Sequence, residues 1–182
     1  MDNGESSYRR FITGDDSGLV ELIRDYKDGL IMYLNSFVRN LNTAEELCED
    51  TFVKLAVKKP KFRGKSSFKT FLYAIGRNIA LDFLKKRGGN IPLDDLAEIS
   101  GDCDIELSYI REERKAAVHR AMGKLKTEYR QALWLTYFEE LSNKETAAVM
   151  KKSVHSVETL IYRARLALKS QLEKEGFQYE EL

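Results

Sequence analysis

Apolar residues Leu19, Ile23, Tyr26, Leu30, Tyr33, Phe37 and Leu41 recur every third or fourth position, a spacing that lines them along one helix face. Ser17 stands just ahead of the run as a candidate cap. Thr43-Ala-Glu-Glu46 has the form of a capping box and predicts a second helix that ends before Pro60. Phe68, Phe71, Leu72, Ile75, Ile79 and Phe83 make a third stripe, which stops at Gly88-Gly89. Residues 17–87 therefore read as one helical unit behind an N-terminal tail over 1–16.

From 88 to 109 the period is lost. GGNIPLDDLAEISGDCDIEL carries Gly, Pro and acids, and it reads as an extended or disordered tether with at most a short acidic helix over 93–99. Helical spacing returns over 110–176. Val118, Ala121, Met122 and Leu125 form one stripe, and Thr127 precedes a helix carrying Ala132, Leu133, Leu135 and Phe138. Ser142-Asn-Lys-Glu145 is a second capping box, opening a short helix to Met150. After a three-residue turn, KKS, a longer helix places Val157, Ile161, Ala164 and Leu168 in register. Residues 177–182 form a C-terminal tail. The expected fold class is all-α, with two small helical domains joined by a flexible acidic linker.

A chain of 182 residues, 43% of them hydrophobic, can bury one or two cores. Its net charge of +1 hides a sharp division. Eleven basic residues lie between Lys54 and Arg87 against the single acid Asp82, whereas 88–110 holds six acids and no base. Such blocks predict a polyanion-facing surface beside a self-repelling segment. Cys48 and Cys103 are too few for a disulfide framework or a metal site, which fits reduced thiols in a cytoplasm. No secretory signal and no membrane-spanning apolar run is visible.

The basic block interleaves cations with aromatics. Lys61, Arg63, Lys65, Lys69 and Arg77 suit phosphates, while Phe62, Phe68, Phe71 and Tyr73 offer faces on which unpaired bases stack. Gly64, Ser66 and Ser67 let backbone approach a nucleotide. Phe68, Phe71, Leu72 and Ile75 also fit a plain core, whereas Tyr73 and Arg77 lie off that stripe and are expected to be exposed. One face packs, and the other, with the preceding loop, holds melted nucleic acid.

The C-terminal helix pair fits a helix-turn-helix, with Ser153, His155, Ser156, Glu158, Thr159 and Tyr162 towards base edges and Lys151, Lys152, Arg163 and Arg165 towards phosphates. It equally fits an ordinary helical hairpin with a charged outer face. Lys151 occupies the turn position where Gly is usual, at a cost of ~1 kcal/mol if left-handed. The acids Glu45, Glu46, Glu49 and Asp50 make a solvated helix face or a docking face for a basic helix; a metal site lacks further ligands. His119 and His155 are isolated, and no nucleophile or phosphate-loop motif accompanies them, so no cofactor and no catalysis are expected.

In their order, TAEELCEDTFVKL, FRGKSSFKTFLYAIGRNIALDFLKKR and LSNKETAAVMKKSVHSVETLIYRARLALKSQL resemble conserved regions two and four of bacterial sigma factors of the extracytoplasmic-function group. The resemblance spans roughly 17–87 and 110–172. It implies a non-enzymatic subunit that binds core RNA polymerase, recognises promoter DNA and helps to open it. On this resemblance Glu46, Glu49 and Asp50 dock on the clamp helices of the largest polymerase subunit, and Leu133, Tyr137 and Phe138 face its flap. The loop Lys61–Phe68, with Lys69, Tyr73, Arg77 and Asn78, captures a flipped base of the minus-ten element. Residues 151–165 read the minus-thirty-five element, the acidic tether runs through the RNA exit channel, and an anti-sigma protein is a further partner. Glu158 and Leu160 stand where members often carry basic residues, Phe71 replaces a frequent Trp, and Thr146 and Lys151-Lys152 replace the usual Ile and Gly-Ile. These departures imply weaker minus-thirty-five anchoring and a less stable second domain. The rival readings are an autonomous helix-turn-helix regulator that binds duplex DNA without polymerase, and a protein-interaction adaptor.

Overall fold

The computed structural model describes residues 3–88 and 113–174, and their regular structure is all helical, with no strand among the described residues. Cys103, the tether and the C-terminal tail lie outside the described residues. The first half holds α1 (Asn3–Ile12), α2 (Ser17–Val38), α3 (Leu41–Lys58) and α4 (Phe68–Gly88). The second holds α5 (Glu113–Gly123), α6 (Thr127–Leu133), which runs on as a π-helical turn at Trp134–Phe138, then α7 (Asn143–Met150) and α8 (Val154–Lys174).

In the first half α2 is the central rod: α1, α3 and α4 all pack on it. Leu22, Leu30, Tyr33 and Leu34 of α2 are buried with Leu55 of α3 and Leu72 of α4. These are the periodic residues and their neighbours one turn away, so removing them from water is what drives the helices together. The segment over 1–16, read as a tail, instead contains α1. Its Tyr8 and Phe11 are buried, and Gly18 of α2 allows the approach, because a Cβ there would collide with the Ser7 carbonyl oxygen.

Helix boundaries differ from the expected caps in detail. Asn40, not Thr43, caps α3, its side chain accepting from the Thr43 N–H. At α2, Ser17 is the first helical residue, and Asp15 accepts from its N–H. Thr127 is likewise inside α6 rather than its cap. The box Ser142–Glu145 forms as read, each partner closing on the other's backbone. Lys151 does adopt the left-handed region (φ 54°), as do Arg39 and Lys59 at other helix ends. Each costs roughly 1–2 kcal/mol relative to Gly there.

In the second half α5, α6 and α7 pack on α8, around buried Leu135, Val149, Val157 and Ala164. The halves do not stand apart, as a free tether between them implies: α4 lies on α7, and α2 lies on α6 and the π-helical turn. Arg130, buried in α6, donates to the carbonyls of Leu125 and of Ser36 in α2. Two halves, one packed body.

Candidate nucleic-acid and polymerase interface

Between Lys59 and α4 the chain has no regular structure. Lys61, Arg63, Gly64 and Lys65 are exposed there, Phe62 and Ser66 half-exposed. None of the three cations has an ion-pair partner among the described residues. Gly64 is left-handed (φ 66°), with open space where a Cβ would sit, so the main chain is bare at the loop's tip. Beneath it lies a cluster of rings. Phe62 packs edge-on to Phe68 at 5.7 Å and against Phe71 at 5.2 Å, and Tyr8 and Tyr26 close round Phe68 from the other side. The loop therefore offers unpaired charge above a preformed aromatic floor.

In this packed form four of the residues read as contacting DNA are wholly or partly buried, or already engaged. Phe68 is fully buried, so it supports the floor and cannot itself stack on a base in this arrangement. Tyr73, expected to be exposed, is also fully buried, because it sits on the α2-facing side of α4 against Tyr33, with ring centres 5.3 Å apart. Burial, then the nearby Glu139 charge, push its hydroxyl pKa well above the ordinary value. Arg77 is half-buried, its Nε enclosed and without a hydrogen-bond partner. Lys69 is taken: its ammonium pairs with Glu139 Oε2 at 2.8 Å across the boundary between the halves. Asn78 is half-buried on α4.

Glu139 and Glu145 are the residues that sequence reasoning missed here. Glu139 is buried, accepts from Trp134 Nε1 at 3.1 Å and holds Lys69. Glu145 closes its own capping box and also accepts from Ser67 Oγ at 2.7 Å and Thr70 Oγ1 at 3.3 Å. Burial pushes the Glu145 carboxyl up, but the hydrogen bonds from Ser67, Ser142 and Thr70 outweigh it and hold the group below its ordinary range. Two acids of the second half thus occupy polar groups at the start of α4.

On α8 the picture is simpler. Ser153 caps the helix, its Oγ accepting from the Ser156 N–H at 3.1 Å. His155, Thr159, Tyr162 and Leu166 lie within one narrow stripe, opposite buried Val157, Ile161 and Ala164. At ~100° per residue, Arg163 and Arg165 fall about 80° to either side of that stripe. His155, Ser156, Glu158, Tyr162 and both arginines are exposed, and Thr159 is half-exposed. Lys151 is exposed in the turn, whereas Lys152 pairs with Glu128 at 2.9 Å. A convex helix with a polar-aromatic stripe flanked by cations has the shape and charge of a major-groove reader.

Glu46, Glu49 and Asp50 are exposed on one face of α3. The same face carries Val53 and Val57, 57% and 71% exposed, beside a shallow groove reaching Ile79 and Phe83 of α4. An acidic rim with bare valines fits a partner helix that is basic and apolar by turns. In the π-helical turn Trp134 stacks on Phe138 at 4.3 Å and His119 packs on both rings. Tyr137 and Phe138 face solvent, but Leu133 is buried and can only support them. The Cys48 thiol is buried and pushed up to about 12 by that burial, so it is unreactive. Among the described residues no helix is long and apolar enough to cross a membrane, and no group of acids, His and Cys could hold a metal.

Residues 22–89 match the family described as Sigma-70 region 2, and residues 115–168 match Sigma-70, region 4. Among curated relatives the chain is similar to RNA polymerase sigma-H factor of Pseudomonas aeruginosa, at 30% identity over 88% of this chain and 89% of that one. It is similar to RNA polymerase sigma factor YlaC of Bacillus subtilis at 31%, over 85% and 91%, and to ECF RNA polymerase sigma factor SigW of the same species at 26%, over 87% and 91%. Among solved structures it shares its fold with CnrH in complex with the cytosolic domain of CnrY, with a TM-score of 0.68, 23% identity, and cover of 95% of this chain and 99% of that chain. The sigma factor RpoE in complex with the anti-sigma factor NepR from Bartonella quintana shares it too, with a TM-score of 0.64, 22% identity, and cover of 84% and 95%.

Proposed function

The chain belongs to the sigma-70 family of RNA polymerase sigma factors, in its extracytoplasmic-function group, and from that premise we propose which residues carry out each part of promoter recognition. It binds core RNA polymerase and promoter DNA and promotes strand opening; its work is binding rather than catalysis, in the cytoplasm where the polymerase is. The loop 61–67 captures an unpaired base of the minus-ten element. Arg63, Lys61 and Lys65 take phosphates, and the half-exposed Phe62, with Phe71 behind it, gives the stacking face. Unstacking costs a few kcal/mol per step, which capture of the extruded base offsets without ATP. The unpaired cations over the aromatic floor are the observation that carries this reading.

The α8 stripe reads the minus-thirty-five element in the major groove, and Arg163 and Arg165 set its register on the phosphates. The acids of α3, now with Val53 and Val57, dock on the polymerase clamp helices, and Tyr137 and Phe138 meet the flap. The two promoter elements lie about 25 base pairs apart, or ~85 Å of duplex at ~3.4 Å per pair. With α4 lying on α7, the two halves cannot reach both, so they separate on the promoter. The 24 residues of 89–112 have a maximum reach of about 80 Å, enough for the halves to part. The packed form is then the resting one, and an anti-sigma protein is the partner that keeps the factor from the polymerase, in line with the partners of the structural relatives.

Purified protein added to core polymerase tests this. Stable association and start-site-specific run-off transcription are expected. A DNA footprint by the protein alone with no binding to core would move the assignment to an autonomous regulator.

A further inference from the structure

Loop 61–67 has little to hold it. Between Pro60 and Ser66 the main chain makes one hydrogen bond to the rest of the described protein, and it comes from outside the matched family region: the Tyr8 hydroxyl donates to the Pro60 carbonyl at 2.7 Å. At its far end the loop is closed by Ser67, whose Oγ accepts from the Thr70 N–H, and Ser67 O accepts from Phe71 N–H. The near end, where Phe62 and Arg63 leave the body, thus depends on Tyr8.

Tyr8 does more than donate. Its ring lies 5.2 Å from Phe68 and 6.2 Å from Phe71, the two rings on which Phe62 rests. Helix α1 is itself held tightly in place. A Cβ at Gly4 would stand 2.5 Å from the Tyr26 hydroxyl and 2.6 Å from the Phe68 ring. Ser7 donates to Glu21 of α2 at 2.7 Å, and Arg10 pairs with the same carboxylate. At the other end of the helix, Lys59 lies over the Phe11 ring at 4.8 Å, on the residue before Pro60. Two contacts of α1 therefore fall on successive residues at the loop's root.

We infer that α1 is the element that sets the minus-ten loop in its capturing position, with Tyr8 as the positioning residue. The inference rests on the reading of loop 61–67 as the base-capturing loop and adds its support. A loop whose own N–H groups are unbonded keeps them for the nucleotide, but it must then be held from beneath or it loses geometry each time the base leaves. Tyr8 does this without touching DNA: the hydroxyl fixes the height of Pro60, and the ring fixes the floor under Phe62. The residue acts on opening rather than on polymerase docking, because α3 carries the docking face and α1 lies on α2 and α4.

The test is Tyr8→Phe, which keeps the ring and deletes the one donor. Wild-type holoenzyme first selects a promoter from a library randomised across the minus-ten element. On that promoter the rate of permanganate reactivity is measured, together with affinity for core and the unfolding midpoint. Opening is expected to slow about three- to tenfold, the size of one net hydrogen bond, with core affinity unchanged. Leu34→Val, an equally conservative core change away from the loop, lowers the midpoint and leaves the opening rate intact. Unchanged opening in Tyr8→Phe, or equal slowing in Leu34→Val, overturns the inference. Failure of the loop reading itself looks different: Phe62→Ala with Arg63→Ala would then leave opening untouched as well.

Discussion

Loop 61–67 and helix α8, the two elements proposed to face nucleic acid, are built in opposite ways. In α8 every backbone group of the central turns is satisfied within the helix, and the reading stripe stands clear of the body. The loop has almost no internal bonds, rests on rings contributed by α1, α2 and α4, and ends beside polar residues that Glu139 and Glu145 of the second half have already engaged. Duplex edges are rigid and periodic, so a rigid periodic element reads them well. An unpaired base has to be enclosed, which needs an adaptable edge on a firm floor. The contrast also has a regulatory side: packing of the halves occupies the far end of the loop, at Ser67, and leaves the outer face of α8 open.

The largest expected effect breaks that asymmetry. Lys69→Met leaves the Glu139 carboxylate buried with a Trp134 donor but no cation, which should weaken packing of the halves by about 3 kcal/mol, Lys69 itself being partly exposed. Small-angle scattering should show an expanded protein, while affinity for duplex minus-thirty-five DNA is unchanged. Next, Phe62→Ala with Arg63→Ala removes plate and charge together and should slow opening more than tenfold, or about 2 kcal/mol. Core binding measured by titration should not move. Phe68 is a poorer choice for that pair, since its loss would empty the core.

Arg163→Ala sharpens the other side. It should weaken holoenzyme binding about evenly across sequences and lower the salt slope by about 1, with the opening rate of pre-bound complexes unchanged. The smallest effect is on pH. The folded protein favours ionised Glu145 over the unfolded chain, so its contribution to stability is present above the ordinary carboxylate range and fades as pH falls through and below that range. The unfolding midpoint should therefore drop as pH is lowered from about 5 to about 3, modestly for this one group, because Glu145 is half-exposed. A midpoint that rises on acidification would contradict the sign.

Much of the α8 side was legible from period alone, since Val157, Ile161 and Ala164 define the buried face and so fix which residues look outward. The family match, the all-helical class and the cap at Ser142 were legible for similar local reasons. The loop side was not. Tyr73 lies off the Phe68–Ile75 stripe, yet it is buried, because α4 is packed by α2 and α3 and then covered by the second half. Burial from several directions erases the polar face on which periodicity depends. In sequence Lys69 reads as a phosphate ligand and Ser67 as a small residue that admits a nucleotide, because their partners, Glu139 and Glu145, are 70 and 78 positions away. Tyr8 could be placed only once α1 was seen to fold back, although the spacing of Tyr8 and Phe11 was a signal that the first residues were helical.

Permanganate mapping of holoenzyme on fragments of the host genome tests most directly whether one chain divides promoter reading between these two elements. Reactive thymines near minus ten that require core polymerase, and that fade in the Phe62→Ala, Arg63→Ala protein while the minus-thirty-five footprint persists, are the expected result. Loss of both signals together, or thymines that stay reactive without the loop, would contradict it.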